Sequence, residues 1–223
     1  MDRITNFPLL DETGQEIVSS LDEINNSMGD YIASNNPYYA YLEDRKIGTL
    51  VSTEITKVRY RALYKRESLI SIDLPKCTTV DEYAFQNCIA LSNVNLPECT
   101  TVDSSAFSYC EKLQNVNIPK CTIINYSVFE FCKSLKKIDL NVVEKIKYGA
   151  FSNCNLLECV KILNTETVCA LANKSAFSNT PIENGTGYIY VPDALVNDYK
   201  KATNWSVYAN QIKPLSEYVE SEE

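Results

Sequence analysis

The chain has 223 residues, of which 29 are acidic and 21 basic, and its formal net charge is −8. Proteins that bind the phosphate backbone of a nucleic acid need a basic surface, so the excess of acidic over basic residues argues against a nucleic-acid partner. The sequence contains no histidine, which excludes serine–histidine and cysteine–histidine nucleophile pairs, histidine general bases and histidine-ligated metals. Much of enzyme chemistry is therefore excluded, and we expect no cofactor and no bound metal.

The first 45 residues carry apolar side chains at heptad spacing. The seam consists of Leu10, Ile17, Leu21, Ile24, Met28 and Tyr31. This spacing predicts a helical arm and junction over residues 1–45, with Asn35-Asn36-Pro37 ending the helix. Two interpretations remain open: the arm packs on the rest of the protein, or residues 10–34 form a homo-oligomer or dock into a partner.

The N-terminus shows no basic segment followed by an apolar run, and no stretch approaches the ~20 apolar residues of a spanning helix. We expect no signal peptide and no membrane insertion. The expected location is cytoplasmic, or released and particle-associated.

From residue 69 onward the chain repeats every 22 residues. One column of the repeat is leucine throughout: Leu69, Leu91, Leu113, Leu135 and Leu157. Within each unit apolar and polar residues alternate, as in Ser71-Ile72-Asp73-Leu74, before a proline, which is typical of a strand with one buried face. Units this small must stack to bury that face. We predict parallel strands near 70–74, 92–96, 114–118, 136–140 and 158–162.

The flanks of the repeat predict caps. Residues 46–68 form a degenerate N-terminal cap repeat, residues 69–187 the regular repeats, and residues 188–223 a C-terminal cap with an acidic tail. Four basic residues gather in the first of these segments: Arg59, Arg61, Lys65 and Arg66. They form either a polar cap or a docking site for an acidic partner.

The unit L-x-x-I-x-L-P-x-C-T-x-V-x-x-x-A-F-x-x-C, read from Leu69 to Cys88, resembles the BspA-like leucine-rich repeats. The resemblance implies a leucine-rich-repeat solenoid, rich in β-structure and built on a parallel strand ladder. It also implies recognition or adhesion without catalysis. Such repeats are common in surface and secreted proteins of gut and oral bacteria and in their phages.

Nine cysteines are present, and six of them recur every 11 residues from Cys77 to Cys132. No C-x-x-C pair occurs, which argues against a zinc ribbon or a redox motif. Side chains in equivalent positions on stacked strands lie ~4.8 Å apart, farther than a disulfide prefers. We therefore expect buried free thiols that pack as small apolar groups.

Function in a recognition protein lies in residues that the core does not dictate. The exposed strand columns predict a ligand-binding surface of Asp73, Asn93, Asn95, Asn115, Asn117, Lys137 and Asp139. Amides offer donors and acceptors that suit a glycan or a peptide backbone. The alternative is that the asparagines form ladders that stabilise only themselves. A second candidate surface is aromatic and consists of Tyr109, Tyr126, Phe131 and Tyr148.

These features together favour a recognition or adhesion module that binds a protein or a glycan on a cell surface, either alone or as part of a phage tail or similar particle. The alternative is an intracellular structural or scaffold protein.

Overall fold

The computed structural model describes residues 3–4, 9–10, 16–18, 48–53 and 55–220. Within these residues the chain winds into a parallel β-solenoid of about eight turns. The strands, in chain order, are β1 (Arg3–Ile4), β2 (Leu9–Leu10), β3 (Glu16–Val18), β4 (Thr49–Val51), β5 (Lys57–Val58), β6 (Ser71–Asp73), β7 (Thr79–Val80), β8 (Asn93–Asn95), β9 (Thr101–Val102), β10 (Asn115–Asn117), β11 (Ile123–Ile124), β12 (Lys137–Leu140), β13 (Lys145–Ile146), β14 (Cys159–Ile162), β15 (Ala170–Leu171), β16 (Tyr188–Val191) and β17 (Ile212–Pro214).

Within the described residues, the turns of the solenoid build two parallel ladders, with nine strands in the first and six in the second. The first ladder runs β1-β4-β6-β8-β10 and resumes as β12-β14-β16-β17, and the second runs β5-β7-β9-β11-β13-β15. The register repeats every 22 residues, so that Ile72 lies beside Val94 and Val94 beside Val116. The five predicted strands are therefore present and parallel, because buried apolar residues at every second position must all face the same core.

A column of stacked phenylalanines runs through the core. Phe85, Phe107, Phe129, Phe151 and Phe177 are fully buried. Successive ring centroids lie 5.1, 5.9, 5.6 and 5.5 Å apart. Each ring fills the space between two coils, so the coils stabilise one another and no coil has a separate core.

All nine cysteines are free thiols, and all but the half-buried Cys159 are buried. Cys88, Cys110, Cys132 and Cys154 each donate to the backbone oxygen of the residue 25 positions earlier, over 3.0–3.3 Å. Burial raises the pKa of Cys88 and of Cys154 to about 12. Cys88 and Cys154 are therefore protonated packing groups, and their weak donors satisfy turn carbonyls.

The turns that carry these phenylalanines place two columns of residues in the left-handed region, and the second column comes two positions after the phenylalanine. The positions of this second column have φ between 58° and 62° and are occupied by Lys65, Asn87, Tyr109, Phe131, Asn153 and Asn179. Asparagine tolerates this conformation well, whereas a bulky aromatic residue in it is a backbone outlier. Aromatic side chains thus hold this position in two successive coils.

The C-terminal cap closes the last open coil. It contains one α-helix, α1 (Val196–Lys201), and short 3₁₀ segments at Asp193–Leu195 and Ser206–Tyr208. Trp205 is fully buried, and its indole N–H donates to the backbone oxygen of Cys169 over 2.6 Å. The Tyr199 hydroxyl accepts the Cys169 amide over 2.8 Å. The cap therefore covers the exposed core and also satisfies the backbone groups of the last coil.

Two seam positions of the predicted helical arm lie among the described residues, and the arm as a whole stays a prediction. Leu10 and Ile17 lie in β2 and β3, which pair antiparallel with a bulge between Leu9 and Leu10. Glu16–Val18 contains two adjacent β-branched residues, which favour an extended backbone over a helix. The other seam residues, Leu21, Ile24, Met28 and Tyr31, lie outside the described residues.

Among the described residues, the helices are too short and too polar to span a bilayer.

Candidate functional site

The first ladder is interrupted between β10 and β12. β10 is the last strand of one sheet and β12 the first strand of the next. Elsewhere Leu74 N–H donates to Asn95 O over 3.0 Å and Leu96 N–H donates to Asn117 O over 2.9 Å. Within the described residues, the equivalent bond from Ile118 N–H to Asp139 O is absent. Backbone donors and acceptors are therefore left without ladder partners at this point.

The second ladder continues through the same two coils. Ile124 of β11 pairs with Val102 on one side and with Ile146 of β13 on the other. The two coils are thus held together on one face of the solenoid and separated on the other. This asymmetry makes the interruption a local opening of the strand face, with the core beneath it intact.

A groove with a volume of about 570 Å³ lies at this opening. We call it the asparagine groove. Its lining residues are Asn93, Val94, Asn95, Gln114, Asn115, Val116, Asn117, Ile118, Pro119, Lys137, Ile138, Asp139, Asn141, Lys161 and Glu220. The polar side chains of this lining are amides and charged groups, so a ligand in the groove contacts hydrogen-bonding groups.

Two runs of side-chain amides lead into the groove from its N-terminal side. Asn115 Nδ2 donates to Asn93 Oδ1 over 2.7 Å. Asn117 Nδ2 donates to Asn95 Oδ1 over 2.6 Å, and Asn95 Nδ2 donates to Asp73 Oδ1 over 2.7 Å. Equivalent side chains of successive coils lie within hydrogen-bonding distance because the strands are in register. Asn95, Asn115 and Asn117 each donate to the preceding coil, in the direction away from β12, and Asn93 donates to the hydroxyl of Ser92.

Two ion pairs form the C-terminal wall of the groove. Lys161 Nζ lies 2.8 Å from Asp139 Oδ2, and Lys137 Nζ lies 3.5 Å from Glu220 Oε1. Burial lowers the pKa of Lys161, but the hydrogen bond and the charge of Asp139 outweigh burial and raise that pKa overall. Lys161 is thus a cation at neutral pH, and its ammonium also lies 4.6 Å from the Tyr218 ring centroid.

Six of the seven residues in the predicted ligand-binding surface line the groove: Asn93, Asn95, Asn115, Asn117, Lys137 and Asp139. Asp73 lies outside the lining and ends one amide run as its final acceptor. The predicted surface does not include Lys161 or Glu220. The repeat period does identify Lys161 as the next member of the exposed column after Asp139, 22 residues later. Glu220 reaches the groove because the C-terminal segment folds back, which no repeat pattern encodes.

The aromatic candidate surface lies on the turns. The Tyr109 and Phe131 rings stack with centroids 4.5 Å apart. Tyr126 and Tyr148 are about half exposed, and the Lys147 ammonium lies 4.8 Å from the Tyr126 ring centroid. None of these four residues lines the asparagine groove.

In the basic candidate cluster, the Arg61 side chain packs against neighbouring tyrosine rings. Arg61 lies 5.2 Å from the Tyr60 ring, 5.4 Å from the Tyr64 ring and 5.2 Å from the Tyr83 ring. Its guanidinium already occupies the aromatic faces around it. This arrangement favours the interpretation of the region as a polar cap.

The chemistry available in the groove is that of recognition. In the part of the chain that the structure describes, no group of three or more histidine, cysteine, aspartate or glutamate side chains could hold a metal ion. The polar groups that line the groove are amides, two ion pairs and open backbone positions, and they lie beside apolar residues such as Val116 and Pro119. They can donate and accept hydrogen bonds and balance charge.

Comparisons with known proteins agree with this architecture. The model of the BspA type leucine rich repeat region matches six copies over residues 56–184. A leucine-rich cell surface protein from Faecalibacterium prausnitzii aligns over 74% of this chain and 54% of its own, at 18% identity and a TM-score of 0.47. The T. pallidum leucine rich repeat protein aligns over 70% of this chain and 83% of its own, at 22% identity and a TM-score of 0.51.

A leucine-rich repeat protein from Bacteroides ovatus aligns over 86% of this chain and 52% of its own, at 20% identity and a TM-score of 0.50. This chain therefore spans about half the length of the solved proteins from F. prausnitzii and B. ovatus. No curated protein matches the sequence. At these identities the T. pallidum and B. ovatus structures show a shared fold and nothing about a ligand.

Proposed function

Because the chain belongs to the BspA-type leucine-rich repeat family, we propose that it is a non-enzymatic recognition module that binds a protein partner through the asparagine groove. Leucine-rich repeat proteins generally act as binding scaffolds for proteins. The groove lies on the strand face, where the repeat fixes the backbone and leaves the outward side chains free to vary. Asn93, Asn95, Asn115, Asn117, Lys137 and Asp139 are the proposed contact residues, with Asp73 supporting one amide run.

The observation that carries the proposal is the interruption of an otherwise regular ladder. A regular ladder satisfies its own backbone groups and offers a partner only side chains. At the groove, the backbone edges of β10 and β12 lack that pairing, and amides and charges surround them. A polypeptide supplies the alternating donors and acceptors that both sets of groups need.

We place this binding at a cell surface, in keeping with where such repeats commonly occur. A glycan partner, for which the amides are also suited, is the competing ligand class. A role on a phage tail or similar particle is a narrower form of the same proposal. An intracellular scaffold is the competing setting. The turn surface of Tyr109, Tyr126, Phe131 and Tyr148 is the alternative contact surface for each of them.

The test compares cell-surface binding of the full chain with that of two variants. Asn115→Ala combined with Asn117→Ala removes the groove ends of both amide runs. Asn197→Ala is the matched control, because Asn197 is exposed on α1 and away from the groove. Labelled protein is applied to cells before and after protease treatment, and thermal melting confirms that each variant is folded.

The proposal predicts that Asn197→Ala binds like the unmodified chain and that the double variant binds at least tenfold more weakly. It also predicts that protease treatment of the cells abolishes binding. Binding that survives protease and reappears on a glycan array would assign a sugar ligand. Undiminished binding by the folded double variant would show that the contact surface lies elsewhere, and Tyr109→Ala would then test the turn surface.

A further inference from the structure

We infer that the asparagine groove recognises a cationic side chain of its partner, with the guanidinium of an arginine as the group it fits best. This inference rests on the proposed function and specifies its chemistry. It follows from the direction of the amide runs and from the identity of the residue that faces them.

The amide runs present acceptors to the groove. Asn115 and Asn117 donate their Nδ2 groups to the preceding coil. Among the residues that the structure describes, none donates a hydrogen bond to Asn115 Oδ1 or Asn117 Oδ1. A carboxamide oxygen has two lone pairs and accepts readily. Aligned amides polarise one another, which strengthens the acceptor at the end of a run.

The opposite wall presents acceptors as well. Asp139 follows Asn117 in the same column, 22 residues later, on the strand across the interruption. Asn117 extends the run by donating to Asn95 Oδ1. An ionised carboxylate has no donor, so Asp139 cannot donate to Asn117 Oδ1 in the same way. Two acceptors meet where every earlier step of the column has a donor facing an acceptor. This mismatch coincides with the interruption of the backbone ladder.

A ligand that joins Asn117 Oδ1 to Asp139 must therefore donate to both. Lys161 is paired with Asp139 Oδ2, and Lys137, which follows Asn115 in the other column, is paired with Glu220 Oε1. Asp139 Oδ1 accepts no hydrogen bond from the described residues, so it is available to the ligand together with the two asparagine oxygens. The net charge of the chain, −8, adds a long-range attraction for a cation.

Guanidinium matches these acceptors better than other donors do. It carries five N–H groups in a planar fork, so that one side chain can donate to acceptors on both walls. Its hydrogen bonds to a carboxylate are charge-assisted and roughly twice as strong as neutral ones. An ammonium concentrates its donors at one point and is more strongly hydrated, which makes lysine the weaker ligand.

The experiment uses the full chain and two small probes. Acetyl-arginine amide is titrated into ¹⁵N-labelled protein, and its citrulline analogue serves as the neutral control of nearly the same shape. The side-chain amide resonances of Asn115 and Asn117 are followed. Asp139→Asn removes the charge of the facing wall and keeps its size, and Asn197→Ala is the matched control on α1.

We expect millimolar binding of the arginine probe that shifts the Asn115 and Asn117 amides, about tenfold weaker binding of citrulline, and a similar loss in Asp139→Asn. Asn197→Ala should bind like the unmodified chain. If the arginine probe leaves the groove amides unshifted, or if citrulline binds equally well, the inference is overturned. Displacement of the arginine probe by a neutral oligosaccharide would overturn it in favour of a sugar.

The two proposals fail in different ways. If the arginine probe does not bind but cell-surface binding still depends on Asn115 and Asn117, the groove is the contact site and its specificity for a cation is wrong. If the probe binds the groove while the Asn115→Ala, Asn117→Ala variant keeps its cell-surface binding, the cation site stands and the proposed function is wrong.

Discussion

Tyr109 and Phe131 stack their rings at 4.5 Å and an interplanar angle of 14°, although both residues hold φ near +60°. The same turn position is asparagine in three other coils: Asn87, Asn153 and Asn179. The left-handed conformation costs an ordinary L-residue roughly 1–2 kcal/mol, whereas an aromatic pair contributes about 0.5–1.5 kcal/mol beyond its buried area. The stack therefore offsets part of a conformational cost that asparagine largely avoids.

This relationship predicts different effects of two substitutions at Tyr109. Tyr109→Asn and Tyr109→Ala both remove the ring stack, but only asparagine tolerates positive φ. The asparagine variant should be more stable than the alanine variant by on the order of 1 kcal/mol, measured by urea unfolding. At Lys112, an exposed residue with ordinary φ, the same two substitutions should show no preference for asparagine. Equal stability of the two Tyr109 variants would contradict the role assigned to this position.

Phe107 lies between two coils in the stacked column. It is fully buried between Phe85, at 5.1 Å, and Phe129, at 5.9 Å. Phe107→Ala should lower the free energy of unfolding by about 3–5 kcal/mol, because it removes a large apolar group and leaves a cavity that rigid coils cannot fill. Tyr148→Ala, at a half-exposed position, should change stability by less than about 0.5 kcal/mol. If Phe107→Ala lowered the free energy of unfolding by less than about 1 kcal/mol, the neighbouring coils would have to move together and close the cavity.

Thiol reactivity should separate Cys159 from the other cysteines. Cys159 is half-buried on β14, and the other eight thiols are buried. A thiol reagent should modify at most one group in the native chain and all nine after denaturation without reductant. Cys159→Ser should remove the native reaction. A denatured count below eight would indicate disulfides.

Stability should fall as the pH rises above about 9. Burial raises the pKa of Cys88, Cys154 and Cys169 to about 12 from an ordinary 9.0. Between these values the unfolded chain releases thiol protons that the folded chain retains, so the free energy of unfolding decreases with pH. The slope is about 1.4 kcal/mol per pH unit for each such thiol.

Urea unfolding in the presence of reductant at pH 7, 9 and 10.5 measures this effect. The thiol contribution should be fully present at pH 7 and reduced at pH 10.5. Cys88→Ala should show a shallower decline, because one of the contributing thiols is gone. Stability that is constant up to pH 11 would contradict the assignment of these cysteines as buried protonated groups.

The amino-acid sequence determined the solenoid. In Ser71–Asp73 and its equivalents, the alternation of apolar and polar residues fixes which face of each strand is buried, and the 22-residue period fixes the register. These patterns are local and repeated, so every coil predicts the same strand with the same buried face. The buried phenylalanines and cysteines follow from the same columns. The period also placed Asn93, Asn95, Asn115 and Asn117 side by side on the strand face.

The prediction of a helical arm rested on the spacing of apolar residues alone. Heptad spacing in a short segment is also compatible with strands when a neighbouring segment offers a backbone edge to pair with, as β2 does for β3. Only five residues separate these two strands, yet the spacing of apolar residues does not indicate that they pair.

Only the tertiary structure decided where the strand face opens. β8 and β10 have the same sequence, Asn-Val-Asn, yet one is paired on both sides and the other on one side only. The difference comes from what faces them: Asn95 meets the donor of Asn117, whereas Asn117 meets the carboxylate-bearing coil of Asp139. Glu220 completes the groove from the other end of the chain. Repeated residues fix a repeated backbone, and the contacts between unlike neighbours decide where that repetition breaks.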